Sequence, residues 1–414
     1  MAAGVLVVGL VLRLALVWAV GTVHEPVDDE WAYRSAERTA HLSSVWSPKT
    51  LECRAPGYPL FLRGLFVLGV PEPGMLVLQA LLGTATLALL MTLARKWMGP
   101  AVAVVAAAIL AVHPTLLMYT VLFMSETLFL FYLLGFFVLF TWPESSRRTT
   151  AAAGVFLGLA ILTRSTILPF VGILLLWTLA SSYWPRTERL ARALLLVGPM
   201  LLTIVPWTIR NAVVYHELIP IDCLSMQSLW QGNNPDGWNV HLANRYDRYS
   251  ESPRERERLA FREASAFLRA QSPTYPFKKA GMTMKTMLGQ QDYVSATYYR
   301  PHERFGPLPS SMASTLIRIE RYYYVGLTAL AFIGFAMAAA SPQRALVAIF
   351  AASLVVSHCV TFFFPRHRVP FIPFLAVFAA VALCRPAGVW RPTPARALAA
   401  VTAVVLFAVA VWRS

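Results

Sequence analysis

Charge is scarce in this 414-residue chain: only 14% of its residues are charged, and its 21 acids are outnumbered by 36 Lys and Arg. Soluble domains ordinarily carry about 25% charged residues, so a solvated globule is excluded. Cysteine is also sparse, with four in the chain, too few for a disulfide scaffold. No glycine-rich phosphate loop is present, which argues against a nucleotide-sugar or nucleotide substrate. No His/Cys cluster has the spacing of metal ligands. The net charge of +15 is scattered over many loops, and no basic run is interleaved with stacking aromatics. Nucleic acid is therefore excluded as a partner, and anionic lipid headgroups are favoured.

What fills the chain is apolar sequence, at 57% hydrophobic residues and a mean hydropathy of +0.56. A spanning helix needs roughly 20 mostly apolar residues. About eleven candidate segments are separated by short polar breaks. They cover residues 2–23, 75–93, 101–112, 127–142, 151–163, 167–184, 193–209, 324–340, 345–364, 369–383 and 397–411. An all-α integral membrane protein is expected. The first segment lacks a basic start and a small-residue cleavage site and reads as an anchor rather than a signal peptide.

Orientation follows from the short loops. Arg95 with Lys96, Arg147 with Arg148, Arg186 with Arg189 and Arg192, and Arg385 with Arg391 fall on one side, the cytoplasmic one by the positive-inside rule. Two long polar segments, residues 24–73 and 215–323, then lie outside. The chain divides into an N-terminal membrane module over 1–214, an external segment over 215–323 and C-terminal spans over 324–414. Cys53 and Cys223 are both external by this topology, so a disulfide between them is open to them, with free buried thiols as the alternative.

Candidate chemistry gathers at the outer side. Asp28, Asp29 and Glu30 stand together just beyond the first span. One carboxylate suffices as a helix cap, and three side by side repel unless cations or substrate sit nearby. Arg54 lies in a Pro-rich turn before residues 60–70, an apolar stretch too short to span and expected to lie along the outer surface. Glu126 opens the run 127–142 and stands at the outer mouth, where an acid is functional by default or is paired with a cation such as Arg13, Arg164 or Arg210. Counting also brings Arg164, Arg210 with Asn211, and Arg366 with Arg368 to this face. Guanidinium groups match phosphate geometry.

In the external segment, residues 229–238 read as a tight surface turn. Ser252 and Pro253 start a helix through Ala270, apolar at Leu259, Ala264, Phe267 and Leu268. A second helix near 277–288 carries Lys278, Lys279 and Lys285 and is expected on the membrane surface.

Five passages in this order resemble a known family: Asp29-Glu30 with Tyr33, Arg54-Ala55-Pro56-Gly57-Tyr58, Ser125-Glu126, Pro206-Trp207-Thr208-Ile209-Arg210-Asn211, and Arg366-His367-Arg368-Val369-Pro370-Phe371-Ile372-Pro373. They are similar to polyprenyl-phosphate-sugar glycosyltransferases of the GT-C class. The nearer likeness is to bacterial family 39-type enzymes, relatives of protein mannosyltransferases and of the lipid A aminoarabinose transferase.

The resemblance implies a GT-C arrangement and transfer of a sugar, with inversion, from a polyprenyl-phosphate donor to an extracytoplasmic glycolipid, envelope polymer or protein at the plasma membrane. It makes Asp29 the base for the acceptor hydroxyl, with Glu30 beside it, and Glu126 the second acid. It places Arg54 where relatives carry a basic residue near the lipid phosphate. Arg164, Arg366 and Arg368 would add to that charge, and Asp28, Tyr33, Tyr58, Arg210 and Asn211 would position substrate. No cofactor is required, although some relatives hold a divalent cation. A lipid transporter or flippase is the rival class. It predicts internal repeats and mid-membrane helix breaks, and no repeat is found.

Overall fold

In a computed structural model, residues 1–20, 30, 33–34, 46, 53–141, 146–181, 183–235, 252–289 and 310–412 are described. Among them the regular elements are helices, with one isolated β-bridge between Ala338 and Trp390. In chain order they are α1 (Ala2–Val20), α2 (Gly57–Val67), α3 (Glu72–Met98), α4 (Pro100–Ala111), α5 (Pro114–Met118), α6 (Glu126–Phe140), α7 (Arg147–Thr163), α8 (Leu168–Ala180) and α9 (Arg186–Tyr215). Then follow α10 (Ser225–Gln231), α11 (Pro253–Arg269), α12 (Tyr275–Leu288), α13 (Ser310–Met337), α14 (Pro342–Val360), α15 (Ile372–Cys384) and α16 (Pro394–Trp412). Short 3-10 turns at Ser165–Ile167 and Pro365–Phe371 precede α8 and α15.

Each of the eleven expected segments falls on one of these helices. Among the described residues, five helices are long and apolar enough to cross a membrane: Ala2–Ala19, Glu72–Met98, Arg186–Tyr215, Pro342–Val360 and Pro365–Cys384. Shorter apolar helices at Pro100–Ala111, Glu126–Phe140, Ser165–Ala180 and Pro394–Val409 accompany them.

Lipid is as apolar as leucine, so spans associate through close van der Waals packing rather than through the hydrophobic effect. The chain meets this demand in two ways. Gly154 and Gly158 form a small-xxx-small seam through which α7 lies directly on α9. A Cβ at Gly154 would come 2.3 Å from the Leu196 carbonyl, and one at Gly158 would come 2.8 Å from Thr203 Cβ. At the centre, aromatic rings from four helices interlock, with Phe137 against Phe374 at 4.7 Å and Phe170 against Phe350 at 5.1 Å.

α9 carries Pro199 and Pro206 inside its apolar length. Each proline removes a ladder hydrogen bond. Nearby, Thr203 Oγ1 donates to the Pro199 carbonyl at 2.8 Å.

Helix direction sorts the charges. Arg95 and Lys96 end α3, Arg147 opens α7, and Arg186, Arg189 and Arg192 open α9, where Arg147 and Arg192 both pair with Glu188. The opposite end holds the N-terminus of α6, the C-terminus of α7 and the last turns of α9. Acids and arginines of the candidate site meet at that second end.

The segment over residues 215–323 has a small core of its own among its described residues. Trp230 of α10 packs on Ala260 and Ala264 of α11, and its indole N–H donates to Glu263 at 2.9 Å. Ser252 precedes α11 as expected, but its hydroxyl donates to Glu217 at 2.7 Å instead of capping the helix. On α12, Phe277 and Met282 are exposed, but Lys279 is buried rather than on the surface. That side chain turns inward and donates to Asn233 Oδ1 and to the Val360 carbonyl, each at 2.7 Å. The reason is the C-terminus of α14, whose last carbonyls lack helical partners. Burial lowers the Lys279 ammonium to about 8.

Candidate functional site at the outer helix ends

The site is built around a turn, residues 119–125, that leads from α5 into α6. The Phe123 amide donates to the carboxylate of Glu30 at 3.0 Å, and that side chain is fully buried. Glu126 begins α6 three residues later, where a negative charge suits the helix N-terminus. It too is fully buried, and its Oε1 accepts from Arg164 at 2.5 Å. Arg164 ends α7 and also reaches Ser125 Oγ at 3.3 Å. Of the three cations expected as partners for Glu126, Arg164 is the one found. Arg13 is spent elsewhere, donating to the Gly9 carbonyl at 2.9 Å beside a cavity of about 20 Å³ that Thr86 and Thr127 also line. The second carboxylate oxygen of Glu126 has no hydrogen-bond partner.

The first loop is fastened to this corner through α2. Tyr33 lies edge-on to Tyr58 at 5.0 Å, and the Tyr58 hydroxyl donates to Gln79 at 2.8 Å. Gln79 in turn donates to the carbonyls of Thr120 and Leu122 in the same turn. α2 lies against the end of α7 because Gly57 has no side chain. A Cβ there would stand 2.6 Å from Thr163 Oγ1 and 2.8 Å from the Thr163 nitrogen. Arg34 pairs with Glu72 and lies 5.3 Å from the Phe123 ring. Asp28 and Asp29 lie outside the described residues.

A Cys53–Cys223 disulfide joins the two long polar segments across 170 residues. The Cys53 amide donates to the Tyr215 hydroxyl, and its carbonyl accepts from the Cys223 amide. Arg54 follows directly and is half-buried. Cys359 and Cys384 are free thiols.

Arg210 and Asn211 lie in the last turns of α9 and are buried there. α9 continues to Tyr215 and stops only where His216 takes a left-handed φ of 56°. Arg210 stacks on Trp207 and Tyr215, and Asn211 donates to the carbonyls of Ile219 and Ile221. Asn211 thereby holds the returning backbone that carries Cys223. Arg368 is likewise engaged inside the protein, donating to the Gly289 carbonyl at 2.7 Å and lying 4.3 Å over the Tyr324 ring. Arg366 is half-buried on the same 3-10 turn.

Two groups escaped the sequence reading. Asp222 accepts from Ser165, the neighbour of Arg164, and from the Leu224 amide, and burial pushes its carboxyl up. It is a lone acid between Ile221 and Cys223, with no pattern to mark it. Glu320, buried on α13, accepts from Thr115 Oγ1 at 2.6 Å. Among the described residues no group of three His, Cys, Asp or Glu stands close enough to hold a metal ion.

Residues 53–209, the stretch that carries Arg54, Glu126 and Arg164, match the family described as dolichyl-phosphate-mannose-protein mannosyltransferase. No curated protein matches the chain. Among solved structures, ArnT from Cupriavidus metallidurans bound to undecaprenyl phosphate aligns with a TM-score of 0.55 at 18% identity, over 99% of this chain and 64% of that one. The fold is of the GT-C type. This GT-C fold also aligns with the archaeal oligosaccharyltransferase AglB from Archaeoglobus fulgidus, in complex with an inhibitory peptide and a dolichol-phosphate, at a TM-score of 0.50 and 14% identity, over 98% of this chain and 55% of that one. The chain thus spans somewhat under two thirds of the first relative and about half of the second. The likeness read from the five sequence passages is borne out, and the chain is a multi-pass membrane protein.

Proposed function

We propose that this chain is a membrane glycosyltransferase that moves a sugar from a polyprenyl-phosphate donor to an acceptor on the extracytoplasmic face of the plasma membrane. The observation that carries this reading is the buried Glu126–Arg164 pair, set beside Glu30 on one turn at the mouth of a GT-C fold. A carboxylate with one oxygen unengaged, next to guanidinium groups, suits attack by a hydroxyl and departure of a phosphate.

A lipid phosphate is already a good leaving group, so no general acid is needed. In the reaction as proposed, the acceptor oxygen displaces the phosphate at the anomeric carbon with inversion. Its proton passes to Asp29, supported by Glu30, while the bonding pair leaves with the phosphate oxygen. Arg54 and Arg366 neutralise the departing charge. Glu126 positions the acceptor, and Arg164 holds Glu126 and extends the positive field. Arg368, Arg210 and Asn211 support these groups from inside the protein. The donor sugar is a hexose or a pentose, the acceptor a glycolipid, envelope polymer or protein, and no cofactor takes part.

The purified protein incubated with a panel of radiolabelled polyprenyl-phosphate sugars and native membranes tests this. Transfer or release of sugar is expected. Movement of intact lipid between leaflets without bond cleavage would instead favour a flippase. Full turnover by a folded Asp29→Asn variant would remove Asp29 from the base role.

A further inference from the structure

Two histidines at the outer end of α14 are used by no step above. The rings of His358 and His367 stack with centroids 4.6 Å apart and planes 14° from parallel. Both are buried, walled by Phe362 and Phe363 at 5.2 to 5.8 Å. Their inner nitrogens fix the tautomers. His358 Nδ1 faces the Phe362 carbonyl at 3.0 Å, which only accepts, so this nitrogen carries a proton. His367 Nδ1 accepts the Phe364 amide at 3.2 Å, so the proton of its neutral ring sits on Nε2. Neither Nε2 makes a hydrogen bond among the described residues. An imidazole N–H with no protein acceptor is open to donate to a ligand.

The surroundings say which ligand. Among the described residues, Arg164 lies within electrostatic reach of both rings and Arg366 within reach of His367. An N–H donor beside two guanidinium groups, backed by aromatic walls, fits an oxyanion carried on an apolar molecule. We infer that His367 Nε2–H is a phosphate-binding group of the donor site, holding one oxygen of a lipid-borne phosphate alongside Arg164 and Arg366, with His358 fixing its ring by stacking. The inference rests on the donor class proposed above. It also replaces Arg368, turned toward Gly289, with His367 as the phosphate contact supplied by this turn.

Two substitutions separate binding from structure. His367→Gln keeps a donor near the position of Nε2 and loses the acceptor for Phe364, whereas His367→Asn keeps that acceptor and loses the outer donor. The full chain in phosphatidylcholine nanodiscs is titrated with farnesyl phosphate, with inorganic phosphate as competitor and thermal unfolding as the fold control. The Gln variant is expected to bind within about threefold of wild type and the Asn variant about tenfold or more weaker, the loss of one hydrogen bond to a charged group. Inorganic phosphate should not compete at equal concentration. Wild-type binding by the Asn variant, equal binding by both variants, or loss by both while folded would each overturn the role of His367 and leave the donor class standing. Effective competition by inorganic phosphate would overturn the lipid-borne part. Failure of the wild-type chain to bind farnesyl phosphate would sink the donor class and this inference together.

Discussion

Removing the charge of Glu126 separates its two duties, holding Arg164 and serving the reaction. The pair is nearly dry, with side-chain exposures of 1% for Glu126 and 12% for Arg164. Taking one member from such a pair leaves an uncompensated buried charge, at a cost of about 3 kcal/mol or more. Converted at about 1.4 kcal/mol per tenfold, that loss raises local opening of the start of α6 and the end of α7 roughly a hundredfold. Glu126→Gln is therefore expected to exchange its amides over 126–130 and 160–164 about a hundred times faster than wild type, by mass-resolved hydrogen exchange in detergent. Arg164→Met should do the same. The double variant Glu126→Leu, Arg164→Met removes both charges and should regain most of the protection, since paired burial is costly and apolar replacement is often neutral. Sugar transfer should stay lost in the double variant if Glu126 meets the acceptor. Unchanged exchange in Glu126→Gln would refute the energetic argument. Recovered transfer in the double variant would show that the acid serves the fold alone.

Three further outcomes follow from the geometry. Cys53→Ser or reduction should lower the unfolding temperature to the same degree and without additivity, because a 170-residue separation is closed and chain entropy puts the stabilisation at up to about 5 kcal/mol. Gly57→Ala should destabilise by about 1–3 kcal/mol, measured by thermal unfolding, since its Cβ meets the backbone nitrogen of Thr163 at 2.8 Å and α2 must move. Glu257, whose carboxylate accepts from the Met226 amide, is raised by burial to about 7 from an ordinary 4.5. The folded state therefore holds more protons than the unfolded one between these values, and stability falls as pH rises through that window. With solvent screening the effect is about 1 kcal/mol. Corrected amide protection of α10 and α11 should be greater at pH 5 than at pH 8, and Glu257→Gln should abolish the difference.

Much of the architecture was legible in the sequence because lipid imposes a length on every span. Each of the eleven apolar runs became a helix, and the basic loops fell at one end. Ser252-Pro253 started α11 where expected, although the serine hydroxyl found Glu217. The burial of Arg210 and Asn211 was not legible because nothing local stops α9 before His216. Lys279 reads as one of three surface lysines on an amphipathic helix, and only the open carbonyl of Val360 explains its burial. Arg368 matches a motif for phosphate contact, yet a carbonyl 79 residues away takes its guanidinium.

The sequence by itself determined the class of molecule, the order of its apolar helices and the presence of Glu126 and Arg164 at neighbouring helix ends. Hydropathy and charge are local properties, and the membrane acts on them locally. Which charge meets which was decided only in three dimensions. Glu126 finds Arg164 across 38 residues and Cys53 finds Cys223 across 170. Such pairings depend on how closely elements approach, which is set by contacts such as Gly57 on Thr163 that no periodicity encodes.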